Sequence, residues 1–275
     1  MTTFALIGDP VQASPSPAMH RAAFRALGLS HDYTAIRVAR DALSDELPGL
    51  LRRCTGLNVT TPLKEAIVPL LDEVDPVAGA AGSVNTVVLH GERAVGHSTD
   101  GAGFLAALGA AGIEPTPPRA VILGTGGAAR AVAAALAGAG SAVLITGRTA
   151  ASAARLARDL SVRAIDEAAV PAAVARAGLL VNATPLGGAG HPQASPLPDA
   201  VALRPSLTVF DLVTRAGPTP LLAQAAAAGC RTVEGVAMLV EQGARSFELW
   251  TGRLAPVEVM RRAAARALDH AGVPA

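Results

Sequence analysis

The chain is poor in aromatic side chains and in charge. Phe, Trp and Tyr supply only 3% of the 275 residues, and Asp, Glu, Lys and Arg supply 16%, against roughly 25% charged residues in an average globular protein. Because hydrophobic residues still make up 51% of the sequence, we expect cores built from Ala, Val, Leu and Ile. This composition favours parallel strands covered by alanine-rich helices over a β-sandwich.

Three further absences narrow the class of protein. The net charge is only +1 and there is no basic run, which argues against a nucleic-acid partner, since that requires several phosphate-neutralising side chains on one face. The two cysteines, Cys54 and Cys230, have no metal-ligand spacing and are interpreted as buried free thiols of a cytosolic protein. The N-terminus does not resemble a signal peptide, and the most apolar segment, 131–146, is interrupted by glycines. We therefore expect a cytoplasmic protein with no membrane span and no bound metal.

Short apolar runs alternate with helical patterns along almost the whole chain, which predicts an α/β fold. The predicted strands of the first part are 4–8, 33–38 and 56–60, followed by a hairpin of 84–91 and 93–99. The proline-dense segment 113–118 predicts a linker, after which a new βα series begins. We therefore expect two domains: a substrate-binding and catalytic domain at 1–101, to which C-terminal helices at about 238–275 return, and a Rossmann-type dinucleotide-binding domain at 102–237.

A glycine-rich turn marks the candidate nucleotide site. Gly124, Gly126 and Ala129 follow an apolar strand and precede a helical run, as in the G-x-G-x-x-G/A pattern. The first glycine allows the tight turn, the second lets backbone approach a pyrophosphate, and the third small residue lets helix and strand come close. Arg130 either adds positive potential to the phosphates or is a solvated arginine.

The end of the second strand in this domain predicts the cofactor. Folds that prefer NAD place Asp or Glu there to accept from the ribose 2′-OH. This chain instead has Arg148 followed by Thr149, and a guanidinium pairs well with a 2′-phosphate. The sequence thus predicts NADP, with NAD and a surface arginine as the alternative.

Polar residues in the first half predict a reaction centre. Ser14 and Ser16 lie between prolines after the first strand, where two hydroxyls suit a carboxylate; the alternative is that Ser16 caps the helix starting at Pro17. Lys64, Asn85 and Asp100 lie at strand edges, and open α/β sheets bind ligands beyond the carboxyl ends of strands. Lys64 and Asp100 together suit a proton relay to a substrate oxygen, whereas either alone is typical of a surface charge.

Seven motifs in order resemble the shikimate dehydrogenase family over nearly the full length of the chain. They are S-x-S-P (14–17), NVTTPLK (58–64), SVNT (83–86), TDG (99–101), GTGGAAR (124–130), VNATPLG (181–187) and EGVAMLVEQ (234–242). The resemblance implies a substrate domain and a Rossmann domain with the active site in the cleft between them. It also implies reversible hydride transfer between NADPH and the C3 carbonyl of 3-dehydroshikimate, which is a small carboxylate substrate. The enzyme is expected to be a monomer or homodimer.

The resemblance implies roles for individual residues as well. Lys64 and Asp100 match the catalytic pair of the family, with Lys64 as the proton donor to the developing alkoxide. The substrate-binding positions are Ser14 and Ser16 for the carboxylate, and Thr60, Asn85 and Gln242 for ring hydroxyls. The NADP-binding positions are Gly124, Thr125, Gly126, Gly127, Ala128, Arg148, Thr149, Thr184, Leu212 and Gly235.

The chain departs from the family pattern near both ligands. Ser98 replaces Asn before Thr-Asp-Gly, Gly147 replaces Asn before Arg148, and Ser152 replaces a second basic residue. Gly188 stands where Met is frequent, and Thr214 where Tyr is typical. Two departures motivate an alternative: Thr214, and the loss of a second basic residue beyond Arg148 at the predicted 2′-phosphate site. The alternative is a relative that acts on quinate or an amino-substituted shikimate, with NAD as a further option. A catalytically silent dinucleotide-binding protein is a third hypothesis, against which the retention of both Lys64 and Asp100 argues.

Overall fold

A computed structural model describes residues 2–114, 117–197 and 201–271 of the chain. Two compact units are present, one formed by Met1–Gly103 with Leu239–Ala275 and the other by Phe104–Met238. Both are layered α/β units, which confirms the predicted fold class. The linker predicted at 113–118 includes residues 115–116, and the C-terminal helices predicted to reach 275 include 272–275; these positions lie outside the described residues.

The first unit is built on a mixed sheet. Its strands are β1 (Thr2–Gly8), β2 (His31–Arg37), β3 (Gly56–Val59), β4 (Glu73–Val74), β5 (Thr86–His90) and β6 (Arg93–His97). Its helices up to the unit boundary are α1 (Ser16–Ala26), α2 (Leu43–Arg53), α3 (Pro76–Ala81) and the first turn of α4 (Asp100–Ala110). The strand order is β2-β1-β3-β5-β6-β4, and β5 runs antiparallel to both β3 and β6. The predicted hairpin is therefore confirmed as β5 and β6.

The second unit is built on a parallel sheet. Its strands are β7 (Arg119–Leu123), β8 (Ala142–Thr146), β9 (Arg163–Ala164), β10 (Leu179–Asn182), β11 (Thr208–Asp211) and β12 (Arg231–Glu234). The helices between them are α5 (Gly127–Gly138), α6 (Ala150–Leu160), α7 (Val170–Val174) and α8 (Pro220–Ala227). The strand order β9-β8-β7-β10-β11-β12 is the 3-2-1-4-5-6 order of the doubly wound dinucleotide-binding fold. Ligands of such sheets bind where the order reverses, here between β7 and β10.

Alternating residues of β7 enter opposite cores, as the period of two in a strand requires. Ala120 and Ile122 face a core with α5 and α6, whereas Val121 and Leu123 face a core with α7 and α8. Because both faces are covered, the strand is apolar throughout. The loops at its carboxyl end are therefore held by two packed layers.

Two C-terminal helices, α9 (Gly235–Thr251) and α10 (Val257–Ala271), follow β12. α10 packs on α1, and α9 contributes to an aromatic core in the first unit. There Phe4 stacks on Trp250 at 4.8 Å, and His20 stacks on Tyr33 at 4.4 Å between ring centroids. The expectation of purely aliphatic cores is wrong here, because composition does not show that the few aromatic residues cluster. Although α9 is 17 residues long, no helix in the described ranges is long and apolar enough to cross a membrane.

The two cysteines are free thiols. Cys54 is buried in the core under α2, and burial raises the pKa of its thiol above the ordinary value. Cys230 is only half-buried, so the prediction that both are buried is correct for Cys54 alone. The thiol of Cys230 donates to the backbone carbonyl of Arg204 at 3.2 Å.

Candidate active site

The structure brings Lys64 and Asp100 together. Lys64 lies in the turn after β3, and Asp100 is the first residue of α4, just after β6. The Nζ of Lys64 is 2.5 Å from Oδ2 of Asp100, and the two side chains are only 13% and 3% exposed. A largely buried pair is weakly screened by solvent, so each charge depends on its partner. The arrangement can pass a proton between an ammonium and an oxygen atom placed next to it.

Local backbone features place Asp100 where it is. A carboxylate in the first turn of a helix is favoured by the positive end of the helix dipole. At Gly103, one turn later, a Cβ atom would lie 2.6 Å from the backbone nitrogen of Gln242. Only a glycine therefore lets the first turn of α4 lie against α9, which brings the Gln242 side chain close to Asp100.

The Asn85 amide joins these residues. Its Nδ2 donates to Oδ1 of Asp100 at 2.9 Å, to Oγ1 of Thr99 at 2.8 Å and to Oε1 of Gln242 at 3.0 Å. Its Oδ1 accepts from the Thr99 backbone at 2.7 Å. Asn85 thus holds one carboxylate oxygen of Asp100 while the other faces Lys64. The Nε2 of Gln242 in turn donates to the carbonyl of Leu239 at 2.8 Å.

A second tier of buried polar groups continues from Asn85 into the protein. The Nδ2 of Asn58 donates to the Asn85 carbonyl at 3.1 Å and to Oγ of Ser246 at 3.0 Å, and its Oδ1 accepts from the Tyr33 hydroxyl at 2.7 Å. Thr86 and Ser246 share a hydrogen bond of 2.7 Å. Sequence reasoning did not assign Tyr33, Thr86 or Ser246 to the site. Their signal is weak, since it consists only of polar residues within otherwise apolar strands and helices.

Ser14 and Ser16 lie together at the start of α1. The Oγ of Ser14 donates to Oγ of Ser16 at 3.1 Å. The helix begins at Ser16, its N-cap is Pro15, and no side chain caps it. The alternative that Ser16 merely caps a helix starting at Pro17 is therefore wrong. Thr60, the remaining predicted substrate ligand, is half-buried in the turn after β3.

The glycine-rich loop after β7 has the backbone that a dinucleotide requires. Gly124 has φ +118°, and a Cβ atom there would lie 2.6 Å from the carbonyl oxygen of Ala183. α5 begins at Gly127, and its N-cap is Gly126 with no capping side chain. Nothing lies within 4 Å of a Cβ position at Gly126, so a ligand phosphate can approach the backbone there. The loop fits a pyrophosphate at the positive end of α5.

The carboxyl end of β8 carries the predicted 2′-phosphate residues. Arg148 is exposed, and Thr149 is the N-cap of α6, accepting from the Ser152 backbone at 3.3 Å. The segment from Gly147 to Ser152 contains no carboxylate to repel a phosphate. The guanidinium of Arg148 and the hydroxyl of Thr149 can donate to a 2′-phosphate, so this strand end fits NADP.

Arg130 does not belong to this surface. It is only 6% exposed, and its guanidinium donates to Asp159 on α6 at 2.9 Å. The alternative of a solvated arginine is wrong, because the side chain ties α5 to α6. A paired guanidinium also offers less positive potential to a ligand.

The loops after β10 and β11 carry Thr184 and Leu212. Asn182, at the end of β10, accepts from Thr184 Oγ1 at 2.7 Å and donates to Asp211 at 2.8 Å. Asp211 is fully buried and also accepts from Thr219 at 2.6 Å; burial raises the pKa of its carboxyl. Sequence reasoning missed the Asn182–Asp211 pair. Polar residues ending two neighbouring buried strands were the available signal.

Three departures from the family pattern occupy ordinary surroundings. Ser98 is buried, and Thr214 is half-buried in the loop after β11. A Cβ atom at Gly188 would meet the Pro185 carbonyl at 3.1 Å, so a larger residue there requires a small shift.

At Gly235, the last predicted cofactor position, a Cβ atom would lie 2.5 Å from the carbonyl of Val213. This glycine lets the start of α9 approach the loop after β11.

These features define a dinucleotide-dependent oxidoreductase. Its glycine-rich loop belongs to the second unit, and its lysine–aspartate pair belongs to the first. The family model described as the shikimate dehydrogenase substrate binding domain matches residues 6–87, and the one described as the shikimate 5′-dehydrogenase C-terminal domain matches residues 235–265. The chain is 45% identical to the shikimate dehydrogenase (NADP(+)) of Moorella thermoacetica, over 98% of this chain and 95% of that protein. The chain belongs to the shikimate dehydrogenase family.

Solved structures agree with this assignment. Shikimate 5-dehydrogenase from Thermus thermophilus, in complex with NADP(H) and shikimate, matches with a TM-score of 0.90 at 43% identity, over 98% of this chain and all (100%) of that chain. A quinate dehydrogenase from Corynebacterium glutamicum in complex with NAD matches with a TM-score of 0.85 at 33% identity, over 95% and 98% of the two chains. The relative that acts on quinate is thus more distant than these two shikimate dehydrogenases.

Proposed function

We propose that the chain catalyses the reversible NADPH-dependent reduction of 3-dehydroshikimate to shikimate. The observation that carries the proposal is the Lys64–Asp100 pair, 2.5 Å apart and almost excluded from solvent, in a chain of this family. A dinucleotide-binding protein without catalytic activity does not need a buried ammonium beside a buried carboxylate, because burying charges is costly.

Lys64 acts as the general acid in the direction of reduction. Its ammonium donates a proton to the substrate oxygen as negative charge develops there, and it takes that proton back during oxidation. Asp100 accepts a hydrogen bond from the ammonium and stabilises its charge, while Asn85 fixes the carboxylate. Acid–base assistance of this kind is worth about 10²–10⁴-fold in rate.

The remaining polar residues of the first unit hold the substrate. The paired hydroxyls of Ser14 and Ser16 bind its carboxylate. Thr60, Asn85 and Gln242 bind its ring hydroxyls, and the hydrogen bonds among Asn85, Gln242 and Asp100 keep these groups in place before the substrate arrives. Preorganisation of this kind lowers the entropic cost of the reaction.

The second unit holds the cofactor, which supplies the hydride when bound. The backbone of residues 124–128 binds the pyrophosphate, Arg148 and Thr149 bind the 2′-phosphate, and Thr184, Leu212 and Gly235 line the rest of the NADP site. The absence of an acidic residue after β8 favours NADP over NAD.

A grid of initial rates tests the substrate and the cofactor. Shikimate and quinate are each assayed with NADP⁺ and with NAD⁺ by cofactor absorbance. We expect the shikimate and NADP⁺ combination to exceed every other by about tenfold or more in kcat/KM, which is about 1.4 kcal/mol in transition-state binding. A higher kcat/KM with quinate would contradict the proposal. Quinate is the less supported substrate, because the chain is 45% identical to a shikimate dehydrogenase and 33% identical to a quinate dehydrogenase.

Two variants test the role of Lys64. Lys64→Ala removes the ammonium, whereas Lys64→Arg retains a positive charge for Asp100 but cannot release a proton near neutral pH. We expect both to lose about 10²–10⁴-fold in kcat. If Lys64→Arg keeps near-normal turnover, Lys64 supplies charge only and is not the general acid.

The metabolic role implies a setting for the enzyme. An enzyme that produces shikimate for aromatic biosynthesis belongs in the cytoplasm, and it acts as a monomer or homodimer. Activity in a cytosolic fraction and the mass of the purified enzyme in solution test these two points.

A further inference from the structure

Thr125 and Gly147 occupy one volume at the edge of the predicted cofactor site. Thr125 is the variable residue between the first two glycines of the loop, and Gly147 follows β8 directly. A Cβ atom at position 147 would lie 2.5 Å from Cγ2 of Thr125 and 3.1 Å from its Oγ1. The Thr125 side chain therefore fills the space that a side chain at position 147 would need.

The Thr125 hydroxyl belongs to a small cluster. Its Oγ1 donates to Oγ of Ser152 at 3.2 Å. Ser152 also accepts from Oγ1 of Thr149 at 2.8 Å and donates to the Thr149 carbonyl at 2.9 Å. Arg148 precedes this cluster and is exposed. Three hydroxyls thus lie together, next in sequence to the exposed Arg148, where the second strand of a dinucleotide-binding fold meets the ribose 2′ position.

We propose that Thr125, acting with Ser152, is a specificity-determining residue for the 2′-phosphate of the cofactor, and that position 147 is glycine because Thr125 occupies its side-chain volume. The inference rests on the proposed function. It accounts for two departures together, since the family pattern has Asn at position 147 and often a base at position 152. The donors lost at those two positions are replaced by hydroxyls.

Hydroxyls distinguish a 2′-phosphate from a ribose 2′-OH less strongly than a second basic residue does. A phosphate oxygen accepts from a hydroxyl that turns its proton toward it, and this bond is weaker than one from a cation. A hydroxyl also bonds a ribose 2′-OH, because it both donates and accepts. We therefore expect a preference for the 2′-phosphate that depends on Thr125 and is smaller than two cations would provide.

Binding of cofactor fragments tests the first part without activity. Adenosine 2′,5′-bisphosphate and ADP are titrated calorimetrically into the full chain and into Thr125→Val, Thr125→Ser and Ser152→Ala. Thr125→Val keeps the shape and removes the hydroxyl, and Thr125→Ser restores it. We expect Thr125→Val and Ser152→Ala to reduce the preference for the bisphosphate over ADP about fivefold, and Thr125→Ser to retain it.

The outcomes separate the inference from the proposed function. An unchanged preference in Thr125→Val overturns the role of Thr125 while leaving the NADP site intact. If the unaltered chain binds neither fragment, both the inference and the assignment of the cofactor site are wrong.

A double-mutant cycle tests the shared volume. Gly147→Asn is made alone and in a Thr125→Ala background, and thermal unfolding is measured for all four proteins. We expect Gly147→Asn to lower the unfolding midpoint in the parent chain and to lower it much less when Thr125 is Ala. Equal shifts in the two backgrounds would refute the coupling.

Discussion

His20 should make the protein acid-sensitive. The side chain is fully buried in the first unit, stacked on Tyr33 at 4.4 Å and 5.4 Å from the ring of Trp250. Neither ring nitrogen has a hydrogen-bond partner among the described residues. Burial lowers the pKa of His20 from 6.5 to about 3, because an imidazolium cannot be solvated among aromatic rings.

The sign and size of the effect follow from proton linkage. Between these two pKa values the unfolded chain binds a proton at His20 and the folded chain does not, so stability falls as the pH falls below 6.5. With these values, lowering the pH from 7 to 5 costs about 2 kcal/mol at this residue alone. Below the unfolded-state pKa, the loss approaches about 1.4 kcal/mol per pH unit until the folded-state pKa is reached.

The comparison is between the parent chain and His20→Phe, which keeps a flat ring for stacking on Tyr33. Urea unfolding is followed at pH 7 and pH 5 by the fluorescence of Trp250, the single tryptophan of the sequence. Other groups titrate in both proteins, so the difference between their pH dependences isolates His20. The larger Phe ring adds a pH-independent cost of overpacking. If both proteins lose the same stability between pH 7 and pH 5, His20 is not the source of the acid sensitivity. If the Phe variant folds poorly, His20→Gln provides a second comparison.

Four other predictions concern the buried network and the glycine loop. Tyr33→Phe leaves Oδ1 of Asn58 without its 2.7 Å donor and should cost about 1–3 kcal/mol in urea unfolding; no change would mean that Asn58 finds another donor. Asp100→Asn should lower kcat by about 10²-fold or more with a smaller change in KM, and an equal rise in KM would make Asp100 a binding residue instead. Gly124→Ala should cost about 1–3 kcal/mol of strain, because φ is +118° and the Ala183 carbonyl lies 2.6 Å away. Gly126→Ala, where space is open, should unfold at the parent temperature yet bind ADP weakly, which calorimetry would check.

The sequence predicted those features that local pattern determines. The hairpin of β5 and β6, the strand before Gly124 and the loop after it all lie in continuous segments whose periodicity and glycines are visible in the chain. Lys64 and Asp100 were found because each follows a strand and belongs to a recognisable motif. Composition also marks Lys64, since it is the sole lysine of the sequence and the other basic residues counted with it are all arginine. An arginine cannot release a proton near neutral pH, which is a physical reason for lysine at this position.

The sequence did not predict partners that are distant along the chain. Asn58 and Ser246 are separated by 188 positions, and no spacing rule connects them. The Arg130–Asp159 pair required the packing of α5 on α6, which periodicity does not specify in detail. The aromatic cluster around Phe4 and Trp250 likewise depends on the return of α9. Tertiary packing decides such contacts, and local propensity carries no trace of them.

The return of α9 also sets an order of events during synthesis. Asn85 leaves the ribosome 157 residues before Gln242, its partner in the network that holds Asp100. The chain of the second unit is continuous and emerges whole between them, so it can fold while the first unit still lacks its two C-terminal helices. The reaction centre is then among the last parts of the enzyme to be completed, and a chain released before α9 carries Lys64, Asp100 and Asn85 without Gln242 and Ser246, which complete the hydrogen-bond network around them.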